Sequence, residues 1–153
     1  MKDFRVKKYQ IHTDKIQNPE GVRFVLLADL HGISYGRENV RLVETIRRLN
    51  PDAILSAGDM AVRTQPDTLV TACKLLKKLV HDFPVYYALG NHEYKMTLSG
   101  EYRGYYEKYE KMLKTAGVHI LRNTHEHAIF KGEHFCFWGL ELPIEYYHKP
   151  KSP

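Results

Sequence analysis

The sequence predicts an α/β fold built on a parallel sheet, and three observations carry that expectation. Short apolar runs at residues 22–28, 53–57 and 85–89 lack polar alternation, as strands covered on both faces do. Amphipathic stretches separate them, giving a strand–helix–strand–helix–strand order that implies parallel pairing and right-handed crossovers. Each apolar run then ends in a short polar string: Asp29-Leu30-His31, Gly58-Asp59 and Gly90-Asn91-His92-Glu93. The strings recur at intervals of about thirty residues, the length of one strand-plus-helix unit.

Taken in order, residues 4–13 alternate loosely (Phe4, Val6, then Tyr9, Ile11) and read as an edge strand, followed by a turn at Asn18-Pro19-Glu20-Gly21. Residues 22–28 (VRFVLLA) form the first buried strand. A helix is expected over 36–50, where Leu42, Val43, Ile46 and Leu49 share one face and Pro51 ends it. The second strand, 53–57, precedes a helix opened by Pro66 and Asp67, since proline and an acid both suit a first turn. Its inward stripe is Leu69, Ala72, Cys73, Leu76 and Leu79 or Val80. Pro84 stops it before the third strand, 85–89.

Ser99 is read as the N-cap of a third helix, which carries Tyr102, Tyr105, Tyr106, Tyr109, Met112, Leu113 and Ala116 and closes at Gly117. Its tyrosines fit a core-facing stripe better than a stacking platform for bases or sugars. Beyond Gly117 the runs 118–121, 128–130 and 134–140 are short, with turns at Asn123-Thr124 and Lys131-Gly132. They read as an antiparallel meander opening a second sheet.

The 153 residues make one domain, 1–153, with 43% hydrophobic and 27% charged side chains, ordinary values for a globular protein. The formal charge of +5 comes largely from local clusters: Arg5, Lys7 and Lys8; Arg47 and Arg48; Lys74, Lys77 and Lys78. These read as solvated faces, and no specific nucleic-acid binding is expected, because no aromatic side chains interleave them. Two cysteines, Cys73 and Cys136, offer no disulfide framework and point to a reducing compartment. No apolar run approaches the ~20 residues that span a bilayer and no signal peptide is visible. The expected location is therefore cytoplasmic, with membrane association only through an anchor preceding Met1.

In open α/β sheets ligands bind beyond the carboxyl ends of the strands. Asp29 and His31 follow the first strand, Asp59 the second, and Asn91 and His92 the third, so all converge on one crevice. Oxygen and imidazole donors suit two divalent ions such as Mn, Fe or Zn, and Asp59 has the central position from which a carboxylate can bridge them. Two cations ~3.5–4 Å apart lower the pKa of a bound water and clamp both oxygens of an in-line phosphoryl displacement. Singly, each string is an ordinary turn; three in order, each at a strand end, are not.

The series DLH…GDM…GNHE, with its surroundings LLADLHG, NPDAILSAGDM and VYYALGNHEY, resembles the calcineurin-like metallophosphoesterase superfamily, most closely its bacterial phosphodiesterase branch. The resemblance covers nearly the whole chain. It implies a two-sheet β-sandwich flanked by helices, of which this chain would be the N-terminal portion. It also implies hydrolysis of a phosphoester substrate, a phosphodiester by preference, with metal-bound hydroxide as nucleophile. On that match Asp29 and His31 bind one metal, Asp59 bridges both, Asn91 binds the second, and His92 stands outside the metal shell and protonates or stabilises the leaving oxygen.

The family's further metal-binding histidine and its later Gly-His-x-His pair are not recognisable before Pro153, so the domain is expected to be truncated on its C-terminal side and this chain to carry only the first half of the site. His125-Glu126-His127 has no preceding glycine and is read as a solvent-facing turn, and His148 as an exposed tail residue. Arg63 is read as a surface arginine at a helix entry, within reach of a substrate phosphate. The alternative to an enzyme is a non-catalytic binding module on the same scaffold.

Overall fold

The computed structural model describes residues 3–147, and His148 lies outside them. Four strands, β1 (Phe24–Leu27), β2 (Ala53–Ser56), β3 (Val85–Ala88) and β4 (His119–Leu121), form one parallel sheet in sequential order. The connections carry α1 (Val40–Leu49), α2 (Thr68–Val80), α3 (Asn91–Leu98) and α4 (Arg103–Ala116). In a sheet of sequential order, crossovers of a single hand put every intervening helix on one face. Val25, Leu27, Ile54, Val85, Tyr87 and Ile120 point to that face and share the main core with Leu42, Val43, Ile46, Leu69, Leu76, Leu79, Tyr106, Tyr109 and Leu113.

The alternate residues point the other way. Phe24, Ala53, Leu55, Tyr86 and Leu121 pack against Ala128, Phe130 and Phe137 of a hairpin, β5 (Thr124–Phe130) and β6 (Glu133–Gly139). Phe24 meets the rings of Phe130, Phe135 and Phe137 edge-on at 5.7, 5.0 and 5.5 Å, a favourable arrangement for aromatic quadrupoles. Lys131 and Gly132 close the hairpin with φ of 53° and 85°, the two positive values that a two-residue turn of right-handed twist demands. The fold is thus mixed α/β, with helices on one face of a parallel sheet and a two-stranded sheet on the other.

Several expectations change. Residues 4–13 form no strand: the alternation breaks at Lys7-Lys8, and Tyr9 and Ile11 are exposed, with only Phe4 settling against Tyr35 at 4.9 Å. The first strand is not covered on both faces. The hairpin is only two strands wide, so Phe24 lies beneath it while Leu26 stands 68% exposed. The helix expected from residue 36 begins at Val40, because Glu38 and Asn39 are left-handed and Asn39 Oδ1 accepts the Tyr35 N–H at 2.8 Å instead.

Beyond β3, helix α3 is an additional element between the third strand and the helix expected after Ser99. Ser99 Oγ accepts from the Tyr102 N–H at 3.2 Å, one turn ahead of α4, whose buried stripe narrows to Tyr106, Tyr109 and Leu113 while Tyr105 and Met112 face solvent. β4 opens no meander. It pairs parallel to β3 (Tyr86 with His119, Ala88 with Leu121), because the α4 crossover returns the chain in the same direction. His125-Glu126-His127 lies within β5, not in a turn. Among the described residues no helix is long and apolar enough to cross a membrane.

Helix α2 is the central support of the helical face. Replacing its fully buried Leu76 by alanine is expected to cost about 2–5 kcal/mol in urea unfolding. Val70 lies on the same helix but is 52% exposed, and its replacement by alanine is expected to shift stability by no more than about 0.5 kcal/mol.

Candidate metal centre

Because β1, β2 and β3 are neighbours in one parallel sheet, their carboxyl ends lie side by side, and the three polar strings leave from adjacent points. The backbone then laces the loops together. The Asp29 N–H donates to the Gly58 carbonyl at 3.1 Å, the His31 N–H to the Asp59 carbonyl at 2.9 Å, and the Gly32 N–H to the Met60 carbonyl at 2.9 Å. To make these bonds Asp29, His31 and Asp59 adopt φ of 55°, 48° and 52°. Left-handed backbone is uncommon outside glycine, and Asp, Asn and His enter it most readily. Strain of this kind persists only where the surroundings enforce it.

The enforcement comes from a close crossing and a buried carboxylate. A Cβ on Gly58 would lie 1.8 Å from the Gly90 nitrogen, and a Cβ on Gly90 would lie 2.3 Å from the Asp59 nitrogen. Only two glycines let these loops touch. Glu93, fully buried, accepts the N–H groups of Asp59 at 2.9 Å, Ala61 at 3.0 Å and Gly90 at 3.2 Å. Burial raises the Glu93 pKa, and the hydrogen bond from Ala61 pulls the other way by favouring the ionised form. Sequence reading gave Glu93 no role. The signal was present, since a glutamate three residues after a helix-capping position returns to the cap's own N–H.

This frame sets the donors. Oxygen and nitrogen atoms of Asp29, His31 and Asp59 lie within 4.8 Å of one another, with His31 Nε2 3.5 Å from Asp29 Oδ1. Asp59 Oδ1 also accepts the His92 N–H at 2.8 Å at the start of α3, where the helix dipole favours a carboxylate. Asn91 Oδ1 is buried yet accepts no hydrogen bond among the described residues. A buried carbonyl oxygen left so costs free energy, and a hard cation would satisfy it. Aspartate, imidazole and amide oxygen together make a donor set suited to a divalent ion of the Mn, Fe or Zn kind.

His92 stands beside this group, its ring 5.0 Å from that of His31. Its Nδ1 accepts the Arg63 N–H at 2.9 Å, which puts the proton of the neutral ring on Nε2. Burial lowers its pKa, opposed by the nearby Asp59 carboxylate, so the neutral form prevails at pH 7. A depression of about 380 Å³ adjoins it, lined by Arg63, Thr64, His92, Lys95 and Ile144. Two of these side chains are cationic, and Arg63 is exposed at its rim. Of the five residues expected at the centre, Asp29, His31 and Asp59 form one donor group. His92 joins it through its ring contact with His31 and its N–H bond to Asp59, and Asn91 precedes His92 at the start of α3. His125 and His127 do not join it; they lie on the outer face of the hairpin.

The family profile for calcineurin-like phosphoesterases matches residues 22–150. A transmembrane protein with a metallophosphoesterase domain from Danio rerio is 30% identical over 137 residues, covering 88% of this chain and 29% of that protein. A putative metallophosphoesterase of Caenorhabditis elegans is 31% identical over 151 residues, covering 87% of this chain and 29% of its own. The chain thus spans under a third of the length of these curated relatives. A phosphopantetheinyl hydrolase from Mycobacterium tuberculosis shares the fold, with a TM-score of 0.53 at 21% identity over 78% of this chain and 42% of that one.

Glu93→Gln is expected to destabilise the fold. One oxygen becomes an NH2 group, which cannot accept the N–H groups now bound, and a buried unsatisfied donor costs about 1–3 kcal/mol. A fall of the urea midpoint without change in slope is the expected result. An unchanged midpoint would remove Glu93 from the frame.

Proposed function

This chain belongs to the calcineurin-like phosphoesterase family, and on that premise we propose that its crevice hydrolyses a phosphodiester with two divalent cations. The observation that carries the reading is the Asp29–His31–Asp59 donor group, with the buried, unpartnered Asn91 Oδ1 one residue before the His92 N–H that Asp59 accepts. Asp29 and His31 would hold one cation, Asn91 the other, and Asp59 would be shared by both. Such cations, when bound, supply Lewis acidity toward the phosphoryl oxygens and an activated water.

The remaining work falls to the chain's own side chains. His92, fixed through Nδ1 by the Arg63 backbone, carries its proton on Nε2 and donates a hydrogen bond from it toward the oxygen that leaves phosphorus. Its lowered pKa makes the neutral donor, rather than the imidazolium, the resting form. Arg63 and Lys95 line the adjoining depression and attract the anionic diester. The left-handed turns at Asp29, His31 and Asp59 hold the donors in place before substrate arrives, which matters because a 1 Å misplacement can cost ~10²-fold in rate.

The test is hydrolysis of bis(p-nitrophenyl) phosphate by this chain in the presence of Mn2+, with p-nitrophenyl phosphate as the monoester comparison. The diester is expected to turn over faster, and chelation by EDTA to stop both. His92→Ala should lower kcat by about 10²–10³-fold, the usual worth of one positioned hydrogen-bond donor to a developing oxyanion, while calorimetric Mn2+ binding is kept. Asp59→Asn should lose the metal itself. Wild-type protein that binds no Mn2+ and cleaves neither ester would overturn the proposal and favour a binding module.

A further inference from the structure

We propose a second metal site, separate from the crevice, in which His125, His127 and Cys136 hold one borderline-soft cation, Zn2+ by first choice, across the two strands of the hairpin. Residues two apart on a strand share a face, so His125 and His127 stand together on the outer side of β5. Cys136 is the direct cross-strand partner of His127, and Trp138 that of His125. Opposite pairs hold their Cβ atoms about 4.5–5.5 Å apart, close enough to share a ligand. A nitrogen of each histidine and the Cys136 sulfur lie within 4.8 Å of one another.

Geometry and chemistry both suit the ion. Around tetrahedral zinc, with Zn–N of about 2.0–2.1 Å and Zn–S of about 2.3 Å, ligand atoms stand about 3.3–3.6 Å apart. The three donors are exposed, so small side-chain rotations bring them together without disturbing the core. The His125 ring lies flat on Trp138, at 4.3 Å and 23°, which holds it upright against the strand, and it meets the His127 ring edge-on at 5.3 Å. Two imidazoles and a thiolate select Zn, Co or Cu over Mg or Ca. Binding releases the Cys136 proton to solvent as the thiolate forms, and water fills the fourth position.

The site also has a structural logic. The inner faces of the same strands carry the phenylalanines that pack on the sheet, and the cation would clip the strands from the opposite side. A slip of one residue in pairing would send the ligands to opposite faces, so binding fixes the register. Neither Asp59 nor its neighbours take part, which makes the two sites separable.

The test is Co2+ titration of the whole chain under reducing conditions, carried out in the Asp59→Asn background to remove the crevice site. One equivalent is expected to give a near-ultraviolet thiolate-to-Co2+ band, abolished by Zn2+. Cys136→Ser should eliminate the band. His127→Ala should weaken Co2+ binding by at least the ~10-fold that even outer-shell changes cost. Absence of the band, its survival in Cys136→Ser, or indifference to His127→Ala would each overturn the proposal. Because Cys136 is exposed, the serine variant keeps the fold, and its circular dichroism verifies this.

Discussion

The hydrogen bonds between the buried Glu93 carboxylate and the loops after β2 and β3 are the constraint on which the crevice depends. Those loops leave the sheet at neighbouring points and have no ladder to organise them. One carboxylate gathers Asp59, Ala61 and Gly90, and the main chain of Asp59 in turn receives the His31 N–H. The position of each donor therefore traces back to a residue that donates nothing to a cation. The cost is a carboxylate held away from water, which is tolerable because its oxygens are bonded.

The rest of the molecule makes that arrangement available. Sequential strand order puts the helices on one face and leaves the carboxyl edge of the sheet open for the loops. Helix α3 begins where the third loop ends, so the Asp59 carboxylate meets the His92 N–H at a helix start. On the far face the hairpin covers Phe24 and Tyr86 and leaves Leu26 in solvent.

Most of this order was legible in the residues. Three apolar runs, two amphipathic stretches and the strings at 29–31, 58–59 and 90–93 were enough for a parallel sheet with its site at one edge. What could not be read depended on distant partners. Phe4, Val6, Tyr9 and Ile11 suggest a strand, but their alternation breaks at Lys7-Lys8, and none of the described residues there pairs with a sheet edge. β4 looked like the start of a meander because three residues carry no sign of which strand they join. Glu93 was visible as a letter in GNHE, yet its role lies in three N–H groups up to 34 positions away. His125-Glu126-His127 seemed a turn because polar alternation over an exposed face resembles a loop.

The left-handed backbone at Asp29, His31 and Asp59 means that these positions are filtered twice. Coordination chemistry alone would accept glutamate for aspartate, or a cysteine for the histidine. Conformation alone would accept glycine or asparagine. Aspartate and histidine satisfy both demands, since they are among the non-glycine residues that most readily enter this region. With these residues as the proposed ligands, any drift toward another metal preference by their exchange must proceed through residue types that tolerate this geometry, or first rebuild the loops. The centre is accordingly conservative for a mechanical reason as well as a chemical one, and natural variation should accumulate in the cationic rim, where no such double condition applies.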